Sequence, residues 1–237
     1  MDRNSNQYTY IFALVMVVVV AALLSGASIA LKDMQEANVR QEKQQNILKS
    51  IGIELTREES AAQFDNYIVE QLVIQNGQVV QSETPAFEIK MEEAVDESPE
   101  DRQVPLYIAS IEGESYYVVP LRGKGLWGPI WGYVSLKEDG STIFGTTFDH
   151  KGETPGLGAE ISKDFFTNQF GGKEIMDGGE FVSIEVKKGT ASGAHEVDGI
   201  SGGTITSVGV QDMLADCLKP YVGYFESKNR ATALNEQ

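Results

Sequence analysis

The stretch YIVEQLVIQNGQVVQ, residues 67–81, sets the fold class. Two β-rich runs flank Asn76-Gly77, the dipeptide that most readily supplies two consecutive positive φ angles to a tight hairpin. Outward along the chain, PLYIASIEGESYYVVPL (105–121) repeats the design around Glu112-Gly113. WGYVSLKEDGSTIFGTTF (131–148) repeats it again around Asp139-Gly140. Successive hairpins of this kind build an antiparallel sheet. EFVSIEVKK (180–188) reads as a further strand. Helical spacing appears twice. In TPGLGAEISKDFFTNQF (154–170), Leu157, Ile161, Phe165 and Phe166 make one apolar face after a loop. Val210, Met213, Leu214, Cys217 and Leu218 follow the helical period more strictly and predict a helix over 207–218. Thr206 or Ser207 can cap it, and Pro220 ends or kinks it. The fold class is α+β.

A different physics governs the start of the chain. Ile11–Leu31 carries no charge and, as a helix, spans roughly 30 Å, the depth of a bilayer's hydrocarbon. A cleaved signal peptide would have a shorter apolar run, a basic start and a clean A-x-A site. The start here is MDRNSNQ, so the reading is a retained single transmembrane helix. The expected organisation is a tail over 1–10, a transmembrane helix over 11–31 and a polar helical stalk over 32–63. A domain over 64–228 and a tail over 229–237 follow. Arg3 precedes the span and Lys32, Arg40 and Lys43 follow it. A naive positive-inside count would put the domain in the cytoplasm, but interspersed acids leave the side undecided by charge.

The formal net charge of −16 lies after the span, because Asp2 and Arg3 cancel. Such a domain is repelled by nucleic acid and by anionic lipid. EIKMEEAVDESPED (88–101) is its densest acidic run and reads as an exposed excursion. The one cysteine, Cys217, excludes an intrachain disulfide and a cysteine-built cluster, and on its apolar helix face it reads as core. The two histidines, His150 and His195, read as solvated loop positions, and no metal site is expected.

The unusual stretch is DGISGGTITS, 198–207, with three glycines among small hydroxyl residues. A tight strand-to-helix loop is the plainest reading. A phosphate cradle of either standard type lacks its lysine or its glycine spacing. Gly199-Ile200-Ser201-Gly202-Gly203 fits G-x-S-x-G, but no histidine follows Ser201 to complete a hydrolase triad. Covalent modification of a hydroxyl is the fourth reading, since small neighbours and open backbone let a modifying enzyme enclose the acceptor.

DGISGGT resembles the flavinylation motif of FMN-binding domains, in which Asp precedes [ST]-G-A-T. HKGETPGLGAEI (150–161) resembles that family's E-T-P-G-L-G loop, and GKGLWGPIWGY (123–133) its G-x-G-L-W-G-P segment. With the N-terminal span and charged stalk, the order is similar to the C-subunit family of Na+-translocating NADH:quinone reductases. The G-subunit family of Rnf-type electron-transport complexes is the near relative, and the G-L-W-G-P-x-W-G segment favours the first. The resemblance implies an electron-carrying subunit with FMN joined by a phosphoester to Thr204. Asp198, Ser201, Gly202 and Gly203 match the lead-in, Gly203 standing where the common motif has alanine. Thr154, Gly156, Leu157 and Gly158 would wall the flavin, with Leu126 and Trp127 against its ring or edge. Trp127 and Trp131 read equally well as sheet core. Loop amides and the helix N-terminus would favour the phosphate. No catalytic residue is implied. The implied partners are the other subunits of a complex coupling NADH oxidation and quinone reduction to Na+ export, and a flavin transferase that takes FMN from FAD with its own metal ion. The implied place is the extracytoplasmic face of a bacterial inner membrane. A membrane-anchored, non-redox interaction module is the alternative of another class.

Overall fold

The computed structural model describes residues 6–235, with side chains as far as Ala231. Residues 1–5 of the expected first tail and Glu236 and Gln237 of the last lie outside the described residues. Asn76 and Gly77 both take positive φ, 51° and 71°. They close a hairpin between β1 (Ile68–Gln75) and β2 (Gln78–Val80), with Gln75 opposite Gln78. Glu112 and Gly113, at φ 54° and 91°, do the same between β3 (Val104–Ile111) and β4 (Glu114–Lys124). Gly140 turns β5 (Pro129–Lys137) into β6 (Ile143–His150), where Asp139 Oδ1 accepts from the amides of Ser141 and Thr142. The three expected hairpins are present. Their strands form one antiparallel sheet in the order β2-β1-β3-β4-β5-β6.

Side chains alternate across a strand, and here both faces are covered. Leu106, Ile108, Tyr117, Val119, Leu121, Val134 and Leu136 bury on one face, among the residues of the main core. Tyr107, Ala109, Tyr116, Val118 and Tyr133 bury on the other. That second face is covered by Ile47, Leu48 and Ile51 and by Phe64. Ile47 and Leu48 belong to the end of α1 (Asn6–Ser50), and Phe64 to α2 (Arg57–Tyr67). Thr56 and Glu59 form a capping box at the start of α2. The chain divides into two units, residues 1–43 and 44–237. The first contains a stretch long and apolar enough to cross a membrane, and its apolar side chains from Tyr10 to Leu31 are exposed.

The acidic excursion holds only the short α3 (Met91–Ala94), tied by Arg102 Nη2 donating 2.8 Å to Val95 O. The apolar face expected over 154–170 does not form one helix. A 3₁₀ turn over Gly158–Ser162 is followed by α4 (Asp164–Thr167). Ile161 and Phe166 are buried, but Leu157 and Phe165 are exposed, because Lys163 takes an extended conformation between the two turns and breaks the period. Small pairs follow: β7 (Met176–Asp177) with β8 (Glu180–Phe181), and β9 (Glu185–Lys187) parallel to β10 (Glu196–Asp198). Ser183, at φ 61°, splits the single strand expected over 180–188 into β8 and β9. The chain ends in α5 (Thr204–Leu218) and α6 (Val222–Asn235), joined by a 3₁₀ turn that contains Pro220.

Helix α5 packs on the main core through Val210, Met213, Leu214, Cys217 and Leu218, all buried. Cys217 Sγ exchanges hydrogen bonds of 3.3 Å with the N–H and C=O of Arg122, and burial pushes its thiol up to about 11. The helix begins at Thr204 rather than Ser207, and neither Thr206 nor Ser207 caps it. Both hydroxyls are committed elsewhere, and those commitments build the site.

Candidate functional site

Gly202 takes φ +76°, a conformation that non-glycine residues adopt only with strain, and it turns the chain into α5. Ser207 Oγ accepts 2.9 Å from Ile200 N–H, tying the loop to the first turn of the helix. Gly203 N–H donates to Ile200 O and Ser207 N–H to Gly203 O, so the helical ladder starts at Gly203. The amides of Thr204, Ile205 and Thr206 precede the first i−4 acceptor and form the electropositive end of α5. The four hydroxyls of the stretch are thereby sorted. Thr206 and Ser207 are buried at 1 % and 3 % exposure. Ser201 and Thr204 are exposed.

Thr206 Oγ1 donates 2.7 Å to Oε2 of Glu153. Glu153 is only 5 % exposed, and its Oε1 accepts 2.8 Å from Trp127 N–H. Its own N–H donates 3.2 Å to His150 Nδ1. The carboxylate enters because two neighbours lack side chains. A Cβ on Gly125 would overlap Oε1, and one on Gly158 would overlap Oε2 and Thr206 Oγ1. One carboxylate thus joins the 125–128 segment, the 153–158 loop and the first turn of α5. The resemblance placed Glu153 inside a motif without giving it a role. Its burial is visible only in three dimensions.

The other expected site residues divide. Thr154 O accepts from the amides of Leu157 and Ala159, and Glu160 Oε1 accepts from Gly156 N–H, so the loop is held by its own chain. Leu157 lies over the acceptor stretch: a Cβ on Gly202 would stand 2.6 Å from Leu157 Cδ2. A Cβ on Gly203 would stand 3.0 Å from Ile200 Cγ2 and 3.1 Å from the Leu157 carbonyl carbon. The alanine of the common motif would need those neighbours to give by a few tenths of an ångström. Leu126, Trp127 and Leu157 are 50 %, 68 % and 41 % exposed, as are Ile205 and Val208 at 59 % and 42 %. These large apolar surfaces lie on the segments that meet at Glu153. Trp127 is therefore not sheet core, while Trp131 is half-buried beneath the guanidinium of Arg122, 5.5 Å from its ring centre.

Asp198 takes another part. Its carboxylate accepts from Ala191 N–H, and the Gln169 amide brackets its backbone, accepting 2.8 Å from the N–H and donating 3.3 Å to the C=O. The loop before β10 is pinned by Glu196, held down to about 2 by Lys187 Nζ and by the amides of Ser192 and Gly193. His195 Nδ1 lies 2.6 Å from Glu174 O. Among the described residues, no group of three His, Cys, Asp or Glu side chains could hold a metal ion.

Strands β5 and β6, the Glu153 loop and the turn into α5 all lie within residues 125–219, which the family model of the FMN-binding domain matches, so the chain is of the FMN-binding-domain class. The chain belongs to the C-subunit family of the Na(+)-translocating NADH-quinone reductase, a family of oxidoreductase subunits. It is 30 % identical over 234 residues to the C subunit of that reductase in Neisseria meningitidis serogroup A, covering 90 % of each chain. It is 33 % identical over 211 residues to that of Vibrio vulnificus, covering 81 % of this chain and 83 % of the relative. The crystal structure of the C subunit from Parabacteroides distasonis superimposes with a TM-score of 0.76 at 42 % identity, over 82 % of this chain and 96 % of that one. The Shewanella oneidensis NqrC structure, at 24 % identity and TM-score 0.66, shares the fold. With its apolar N-terminal helix, the chain is a membrane-anchored member of the family.

Proposed function

We propose that this chain is the electron-carrying flavoprotein component of a complex that couples NADH oxidation and quinone reduction to Na+ export, with FMN bound through a phosphoester to Thr204. The observation that carries the reading is the sorting of hydroxyls on one helical turn. Thr206 and Ser207 are buried and hydrogen-bonded, while Thr204 stands exposed at the first position of α5. A phosphate there would meet the free amides of the first turn and the positive end of the helix dipole. Exposed Leu126, Trp127 and Leu157 give the apolar surface that a planar ring system needs.

In maturation the Thr204 oxygen forms the new bond to the flavin-side phosphorus of FAD. The pyrophosphate bond breaks, AMP leaves, and the hydroxyl proton passes to the flavin transferase. The transferase brings its own metal ion. Bound FMN supplies reversible uptake and release of electrons. The protein's residues hold it and set its surroundings. The span has no acidic residue for an ion path, so ion passage falls to partner subunits in this reading. The domain stands on the extracytoplasmic side, where lost cofactor could not be replaced from the cytoplasmic pool, and a covalent tether answers that need.

Co-expression with a flavin transferase tests the reading. The wild-type chain should give a fluorescent band on a denaturing gel, and Thr204→Ala should remain folded and dark. A fluorescent Thr204→Ala band would refute it.

A further inference from the structure

We propose that Glu153 is the positioning residue of this site, a buried carboxylate that sets the register between the acceptor turn and the exposed apolar residues on the two facing loops. The inference rests on the flavin reading above for what is positioned, but its geometry stands alone. Glu153 touches neither Thr204 nor any other exposed hydroxyl in the described hydrogen bonds. It acts through Trp127 N–H and Thr206 Oγ1, at 2.8 and 2.7 Å. A carboxylate taken out of water is costly unless its oxygens are satisfied, and here each oxygen receives one donor from a different segment. Removing either donor leaves a buried acceptor unpaired, so the three segments hold one another in place.

The local sequence is built around this group. Gly125 and Gly158 leave the space the carboxylate fills, and any side chain at either would collide with it. Thr206 turns inward to reach it, and Thr204, on the same turn, is left facing solvent. Trp127 is held by its backbone rather than its ring, so the indole stays free at 68 % exposure while its position is fixed. A helix cap would have spent the Thr206 hydroxyl on the helix itself. The sheet and helices bury their own cores without this contact, which argues that its role is local to the site.

The test uses the full chain, with and without co-expressed flavin transferase. In the flavin-free chain, Glu153→Ala should speed amide exchange at Trp127 and at the hydrogen-bonded amides of Gly203 and Ser207 by about tenfold or more, the loss expected for a charge-assisted hydrogen bond. In the flavin-loaded chain it should flatten the visible circular dichroism of the flavin. Glu153→Gln keeps an oxygen for Trp127 N–H and offers an N–H to Thr206 Oγ1, so it should restore both signals. Unchanged exchange and dichroism in Glu153→Ala, or a Glu153→Gln variant as loose as the alanine, would overturn the proposal. Should Glu153→Ala not fold, Thr206→Val removes one arm and should speed exchange at Gly203 and Ser207 more than at Trp127; equal protection to wild type would overturn it. Failure of the attachment reading shows separately, as a wild-type chain with a bare Thr204, and leaves the exchange measurement to decide Glu153.

Discussion

Thr204 and Thr206 lie two residues apart on the first turn of α5 with opposite fates: Thr204 is exposed, and Thr206 is 1 % exposed with its hydroxyl on Glu153. A helix rotates about 100° per residue, so positions two apart point to different sides. Valine at each position separates the two jobs. Thr204→Val should leave thermal stability close to wild type and abolish covalent flavin. Thr206→Val leaves a buried acceptor unpaired and should cost about 1–3 kcal/mol. Calorimetry and intact mass together check this; equal melting temperatures for the two variants would contradict it.

Gly202 sits at φ +76°, and its missing Cβ would press on Leu157. Gly202→Ala should therefore destabilise the domain by about 1 kcal/mol or more from the backbone alone. A shifted acceptor loop should also lower flavin loading under limiting transferase. A chemical-denaturation midpoint equal to wild type would show that the loop adopts another conformation.

The compact unit begins at Gln44, inside α1, and Ile47, Leu48 and Ile51 are among its most buried side chains. A chain starting at Gln44 should be soluble and cooperatively folded. One starting at Ile53 loses all three anchors, each worth about 2 kcal/mol or more when deleted from a core, and should melt far lower or not fold. Circular dichroism melts of the two truncations decide it. Equal melts would mean that these side chains do not stabilise the sheet.

Glu196 is depressed from 4.5 to about 2 by Lys187 and by two loop amides. A group whose folded value is lowered contributes its stability above its ordinary value and loses it as pH falls through the folded one. The loop before β10 should thus stay pinned at neutral pH and loosen between about 4.5 and about 2. The amide resonances of Ser192 and Gly193 should titrate with a midpoint near the lower figure. A midpoint at 4.5 would mean that the ion pair does not form in solution.

Legibility in the sequence followed the range of the forces involved. The hairpins at Asn76-Gly77, Glu112-Gly113 and Asp139-Gly140 were readable because turn conformation is a property of two or three residues. The apolar stripe of α5 was readable because helical periodicity repeats. The start of α5 was not, because the hydroxyls expected to cap it are spent on Ile200 and Glu153. The broken stretch at 154–170 misled for a related reason: the spacing of Leu157, Ile161, Phe165 and Phe166 looks helical, yet Leu157 and Phe165 stay exposed on the loop and on α4. Glu153 was hardest of all. It is one of 35 acidic residues, and nothing local separates it from the solvated ones. It is buried by the approach of Gly125 and Thr206, from segments far apart in the chain, and of Gly158 in its own loop.

Mass-spectrometric peptide mapping of the chain purified within its native complex addresses the attachment itself. The account predicts that the peptide holding residues 198–207 carries the mass of an FMN phosphoester and that fragmentation assigns it to Thr204. An active complex in which that peptide is unmodified, or carries the flavin on Ser201, would contradict it.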